Sequence, residues 1–224
     1  AIGADVDFEI KGISKWVMTA QVADRYRSGN VFLVGDAAHR YPPTGGLGLN
    51  AGLADIENLA WKIGAVERGE ASMDILDSYD AERRAVAQTN SNQSVANAMR
   101  LRVLLQALGQ DLGRDIDAVA LNAALNDPAK QPVIEDAIAQ QKDHFDSLRL
   151  QLGYIYGEQR TIDDALPVSE YRPRVIPGSY LPHCELSDGS SILDTIVLKG
   201  LTLLVGPDAE NVEMLLSRIG APVK

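Results

Sequence analysis

One cysteine, Cys184, is too few for an intrachain disulfide. No apolar run approaches the roughly 18 residues that a membrane-spanning helix needs, and no secretory leader is visible. Basic residues are also short: 21 Lys and Arg face 31 Asp and Glu, giving a net charge of −10 and a pI near 4.7. That balance argues against nucleic acid as a partner, because phosphate binding needs clustered Lys and Arg. The chain has no GxGxxG, so the glycine turn that would cradle a dinucleotide pyrophosphate is missing from it. Internal repeats and low-complexity tracts are absent as well. What remains is 224 residues, 46% hydrophobic, enough to bury a core in one or two domains of a cytoplasmic protein.

The segment GDAAHRYPPTGGLGLN, residues 35–50, is the most informative stretch. Before it, Val31-Phe32-Leu33-Val34 is a continuous apolar run with two β-branched members, which reads as a strand buried on both faces of an α/β sheet. The run ends at Gly35-Asp36, where open α/β sheets bind ligands, and a carboxylate there can accept hydrogen bonds from sugar-like hydroxyls. In Pro42-Pro43-Thr44-Gly45-Gly46-Leu47-Gly48 the prolines fix φ and the glycines allow left-handed turns and close approach of a flat ligand. From Leu49 onward the pattern is helical, with Leu49, Leu53, Ile56, Ala60 and Ile63 forming an expected core-facing stripe and Arg68-Gly69 closing the helix. The free N–H groups of Leu49 and Asn50 would then open toward the loop with about half a positive charge, which stabilises an anion.

Gly35-Asp36-Ala37-Ala38-His39, Pro42-Pro43-Thr44-Gly45, Gly48-Leu49-Asn50, Asp55 and Asn58-Leu59-Ala60-Trp61-Lys62 together resemble the second FAD fingerprint of the single-component flavoprotein aromatic hydroxylases. This is the family of para-hydroxybenzoate hydroxylase and of the phenol and chlorophenol hydroxylases. The resemblance implies that the cofactor lies against Gly35, Asp36, Pro43, Gly46, Gly48, Leu49 and Asn50. Asp36 would bond a ribityl hydroxyl, the Leu49 and Asn50 amides would face the pyrimidine end of the isoalloxazine, and the Pro43 carbonyl would lie beside ring and substrate. Such a helix start would stabilise the negative charge of reduced flavin in the manner of an oxyanion hole. His39 belongs to the fingerprint and is expected to order the loop rather than to catalyse. Arg40 and Tyr41 would border the ring or the substrate entrance, or lie in a solvated loop.

The implied activity is hydroxylation of a small phenolic substrate with NAD(P)H and O2, through a flavin C4a-hydroperoxide, with no metal. The catalytic residue is expected outside this chain. Two alternatives stand beside it: another FAD-dependent oxidoreductase such as an epoxidase, halogenase or dehydrogenase, and a non-catalytic module. Because Ala1-Ile2-Gly3 lacks a leading methionine and no pyrophosphate turn is present, a C-terminal portion of a longer polypeptide is expected.

Domain boundaries follow the same reading, for an α/β fold with a Rossmann-like FAD domain. Residues 1–26 would end a substrate-domain sheet, with period-two strands at 6–10 and 16–23 and Trp16 in a core or on a sheet face. Residues 27–170 would form the C-terminal part of the FAD-binding domain with a helical extension. A helix over 72–108 would pack Ile75, Leu76 and Tyr79 and expose Glu82-Arg83-Arg84 as a solvated, salt-bridged face. A second helix would start at Pro132 and bury Val133, Ala137, Ile138, Phe145, Leu148 and Leu152, with His144 as surface or core decoration, and 150–156 would be a strand. After a proline-punctuated linker, 171–224 resembles the start of the thioredoxin-like domain of the phenol hydroxylase branch, cut short, with a strand at 201–205. Lacking Cys-x-x-Cys, it would serve structure and subunit contacts, as in a homodimer, rather than thiol exchange.

Overall fold

The computed structural model describes residues 7–15, 17–157, 166–196, 201–206, 212 and 214. Four short strands come first: β1 (Gln21–Val22), β2 (Arg27–Ser28), β3 (Val31–Phe32) and β4 (His39–Arg40). β1 pairs antiparallel with β4, Val22 opposite His39, and β2 pairs antiparallel with β3 around a turn that needs Gly29 at φ +58°. Helices follow: α1 (Leu47–Glu67), α2 (Asp77–Ala107), α3 (Ala118–Leu125), α4 (Gln131–Ala139), α5 (Lys142–Phe145) and α6 (Leu148–Leu152).

Helix boundaries have local causes. α1 starts behind Gly46 in the left-handed region, where no side chain caps it, and stops where Gly69 at φ +71° turns its N–H back to Val66. α2 carries Asp77 and Asp80 in its first turn, the charge that a helix start favours. Asp117 caps α3 by accepting from the Val119 and Ala120 amides, and Pro132 occupies the first turn of α4, where its missing N–H costs nothing.

α1 and α2 pack against each other and against the strand segment. Tyr26, Ala38, Tyr41, Leu47, Ala51, Leu59, Leu76, Tyr79, Ala87, Leu150 and Val168 form the core cluster. Three of its members are tyrosines, and the Tyr79 hydroxyl reaches the Leu33 carbonyl at 2.7 Å. Burial pushes the Tyr26, Tyr41 and Tyr79 hydroxyls well above the ordinary tyrosine range, so all three stay neutral.

Several expectations are corrected. The α1 stripe of Leu49, Leu53, Ile56, Ala60 and Ile63 lies outside: Leu49 is 77% exposed and Leu53 56%. The face turned to α2 is instead Leu47, Ala51, Asp55, Asn58, Leu59, Lys62 and Ala65, because its polar members find partners on α2 that pay for their desolvation. Residues 31–34 do not form a strand buried on both faces. Val31 is exposed, Phe32, Leu33 and Val34 are half-buried, and β3 folds back on β2 rather than joining a parallel sheet.

Residues 7–15 are irregular and exposed, and of the strand expected at 16–23 only Gln21–Val22 forms, since alternation without a partner strand leaves no ladder to join. Trp16 lies outside the described residues. The 72–108 helix is present as a 3-10 turn (Met73–Leu76) running into α2. The helix from Pro132 breaks into α4, α5 and α6. Gln141 sits at the first break, its side chain bonding the Arg100 and Ala137 carbonyls, and Phe145 is left exposed while Ile134 and Ala137 are buried. Residues 148–152 are helical, and only Ile155 bridges, antiparallel, to Ser179. The described part of 171–224 holds isolated bridges, one 3-10 turn (Ile192–Thr195) and helical positions at Val212 and Met214, and 202–205 are not in a strand.

Replacing Tyr79 with Phe keeps the ring contacts but orphans the Leu33 carbonyl, so the protein should lose about 1 kcal/mol in urea unfolding.

Candidate functional site

Gly35 opens a single 3-10 turn (Gly35–Ala37) at φ +55°, and the Ala38 N–H closes on its carbonyl at 2.8 Å. The turn lies directly against α1, where a Cβ on Gly52 would sit 3.3 Å from the Gly35 Cα, so only glycine allows this approach without displacement. The next residue, Asp36, projects into solvent, and no described side chain or amide bonds its carboxylate. It lines an open groove of about 560 Å³ formed by residues 20–23 and 36–40.

The loop into α1 is held from behind. Thr44 is buried and its hydroxyl donates to the Ser94 carbonyl at 2.6 Å, while a Cβ on Gly45 (φ +89°) would lie 3.1 Å from the Asn97 amide nitrogen. Its front is open: Pro43, Gly46, Leu49 and Asn50 are exposed and Gly48 is half-buried. The Asn50 side chain donates back to the Gly46 carbonyl at 2.8 Å. The first N–H groups of α1 have no partner within the helix and no side-chain cap. The open groups are thus an unpartnered carboxylate, an uncapped helix start and a proline carbonyl loop, the first two linked through the Gly35–Gly52 contact.

Beneath them is a buried charge network. Asp55 on α1 is fully buried. Its Oδ2 accepts from His39 Nε2 at 2.7 Å and from the Gly35 amide at 3.1 Å, and its Oδ1 accepts from Arg83 Nε at 2.9 Å. A carboxylate only accepts, so Nε2 is the donating nitrogen of His39. The His39 ring stacks on Tyr41, centroids 4.8 Å apart. Arg83 spends its other donors on the Tyr156 hydroxyl (3.1 Å) and the Ala51 carbonyl (3.3 Å). Burial pushes the Asp55 carboxyl up, but the hydrogen bonds from His39 and Arg83 and the Arg83 charge outweigh it and hold Asp55 below its ordinary value of 3.8. For Arg83, burial disfavours the charge, and Tyr156 and Asp55 more than offset it. A second group neighbours the first: Lys62, also buried, donates to Asn58, Ser78 and Glu82 at 2.9, 2.6 and 2.7 Å.

This network is not visible in the order of residues. The Glu82-Arg83-Arg84 run was expected on a solvated face, yet Arg83 is 1% exposed and Glu82 partly buried, with only Arg84 outward. The available signal was Asp55, twenty residues after Gly35 in the middle of an otherwise apolar helix turn. His39 is turned inward, its ring held by Asp55 away from the open groove.

Residues 3–94 match the family model described as FAD binding domain. Among curated proteins, 4-methyl-5-nitrocatechol 5-monooxygenase of Burkholderia sp. is 31% identical, aligning with 100% of this chain and 38% of its own length. Pentachlorophenol 4-monooxygenase of Sphingobium chlorophenolicum is 54% identical over 36% of the chain and 15% of its own length. The matched segment is thus that of an FAD binding domain, and the relatives that carry it are named monooxygenases. Among solved structures, the flavin-dependent monooxygenase PieE in complex with FAD and substrate is 33% identical with a TM-score of 0.69, over 83% of this chain and 35% of that one. The chain therefore spans well under half the length of the relatives it matches. No described helix is long and apolar enough to cross a membrane.

The residues present fit the ring and ribityl parts of FAD: an unpartnered carboxylate for hydroxyls, uncapped amides for an anionic ring edge, and open space beside Gly46 and Gly48.

Asp55→Ala should cost about 3–5 kcal/mol, since it strands a buried guanidinium. The Asp55 pKa is lower folded than unfolded, so its stabilisation is full above the ordinary carboxylate range and is lost as pH falls through the folded value. Acid unfolding scans of Asp55→Asn should accordingly show a shallower loss of stability below about pH 4 than the native protein.

Proposed function

We propose that the intact protein is a monooxygenase that hydroxylates a phenolic aromatic compound using FAD, NAD(P)H and O2. The observation that carries this reading is an exposed, unpartnered carboxylate, Asp36, on a turn packed at Gly35–Gly52 against the helix whose start is uncapped, in a chain similar to aromatic hydroxylases. Bound FAD supplies acceptance of two electrons from NAD(P)H and activation of O2 for transfer of an oxygen atom to the ring.

This chain's own share is binding and orientation. Asp36 accepts hydrogen bonds from ribityl hydroxyls. The Leu49 amide, with the other free N–H groups of the first turn of α1, stabilises negative charge at the pyrimidine edge, while the Asn50 N–H is taken up inside the helix. Gly35, Gly46 and Gly48 leave room for the flat ring, and the Pro43 carbonyl accepts from the phenol hydroxyl at the substrate side. The group that deprotonates or positions the phenol is contributed from outside these residues. We further read 27–170 as part of the FAD domain with its helical extension.

Incubation of the full-length protein with NADPH or NADH, O2 and a panel of phenols, followed by product analysis, should yield an ortho-diol or a hydroquinone. Epoxide or halogenated products, or a protein that gains no flavin absorbance on titration with FAD, would defeat the reading. In the same protein Asp36→Ala should weaken FAD retention by about 1.5–3 kcal/mol, the worth of a charge-assisted hydrogen bond, measured by flavin fluorescence.

A further inference from the structure

We propose that Asp55 is a positioning residue for the flavin, acting at one remove: its carboxylate fixes the Gly35 amide and thereby the direction in which Asp36 projects. The inference rests on the flavin reading above and deepens it.

Three donors converge on Asp55 from three separate segments. Gly35 comes from the strand end, His39 from β4 and Arg83 from α2. Of these bonds, the one to Gly35 has no evident need of a charged acceptor for folding alone, because a backbone amide at a half-buried turn can be satisfied by water. Instead it is held by the same oxygen that receives His39. Gly35 is in the left-handed region, and Gly52 packs on its Cα, so the peptide leading into Asp36 is fixed at the amide, at the Cα and, through the Ala38 N–H, at the carbonyl. Asp36 itself has no bond that would aim its carboxylate, and Asp36 and Asp55 share no hydrogen bond. Its aim is therefore inherited from Gly35. A neutral amide at position 55 could serve one or two of the three donors with its single oxygen and would bring an N–H into a site built of donors.

Arg83 extends the device. Its bond to the Tyr156 hydroxyl ties the segment after α6 to the same carboxylate, and its bond to the Ala51 carbonyl fastens it to α1 one turn from the helix start.

The test is a double-mutant cycle in the full-length protein: Asp36→Ala, Asp55→Asn and both together. FAD dissociation constants are read from flavin fluorescence at a temperature where each variant keeps the native near-UV circular dichroism. Asp55→Asn should raise the dissociation constant about tenfold or more, and the double variant should bind about as weakly as the weaker single variant, because Asp55 acts through Asp36. An unchanged constant for Asp55→Asn, or losses that multiply in the double variant, overturns the proposal, whereas mere destabilisation would lower the melting temperature and leave binding intact. If Asp55→Asn does not fold, Asp55→Glu keeps the charge opposite Arg83 and displaces the carboxylate by one methylene. It should still raise the dissociation constant, and native affinity overturns the proposal. Failure of the flavin reading looks different: the native protein itself then binds no FAD, whatever stands at position 55.

Discussion

A single buried carboxylate organises this structure. Asp55 sits, fully buried, where α1, α2 and the strand segment meet, and it accepts from a guanidinium, an imidazole and a backbone amide. In such surroundings any unpaired member is far costlier than the net worth of the complete set, so the members hold one another in place. The consequence is geometric. α1 cannot rotate or slide on α2 without breaking the pair, and the Gly35 turn cannot leave α1 without giving up its amide's bond to Asp55.

The interface between α1 and α2 is accordingly polar where most helix pairs are apolar. Asp55, Asn58 and Lys62 face Arg83, Glu82 and Ser78, and Leu49, Leu53, Ile56 and Ile63 are left on the opposite side of α1. Directional bonds specify register more narrowly than interchangeable methyl groups do. That suits a helix whose first turn has to present backbone amides in a defined direction, and whose opposite end needs only the glycine closure at Gly69.

On the proposed flavin reading, function is spread over two levels. Outward are the groups with chemistry to offer, the Asp36 carboxylate, the α1 amides and the Pro43 carbonyl. Inward are the groups that aim them, Thr44 on Ser94, His39 and Asp55, Arg83 on Tyr156. The outward set has few bonds of its own, as expected for groups reserved for a ligand, and nearly all of the ordering comes from beneath.

Local order along the chain was enough to identify α1 and α2, the glycine closure of α1, the loop and its special residues, because periodicity, caps and turn chemistry act between neighbours. The fingerprint around Gly35 and Asn50 likewise led to the flavin family, since a ligand approaching backbone demands particular residues at particular spacings. Which face of α1 is buried could not be read that way. Hydrophobicity pointed to Leu49 and Leu53, whereas burial of Asp55 and Lys62 depends on partners between sixteen and twenty-eight residues away that meet them only in space. The same holds for Arg83, which looks solvated among its neighbours and is buried by Asp55 and Tyr156. Short-range chemistry is written in the order of residues. The balance between desolvating a charge and pairing it is struck only when distant segments come together.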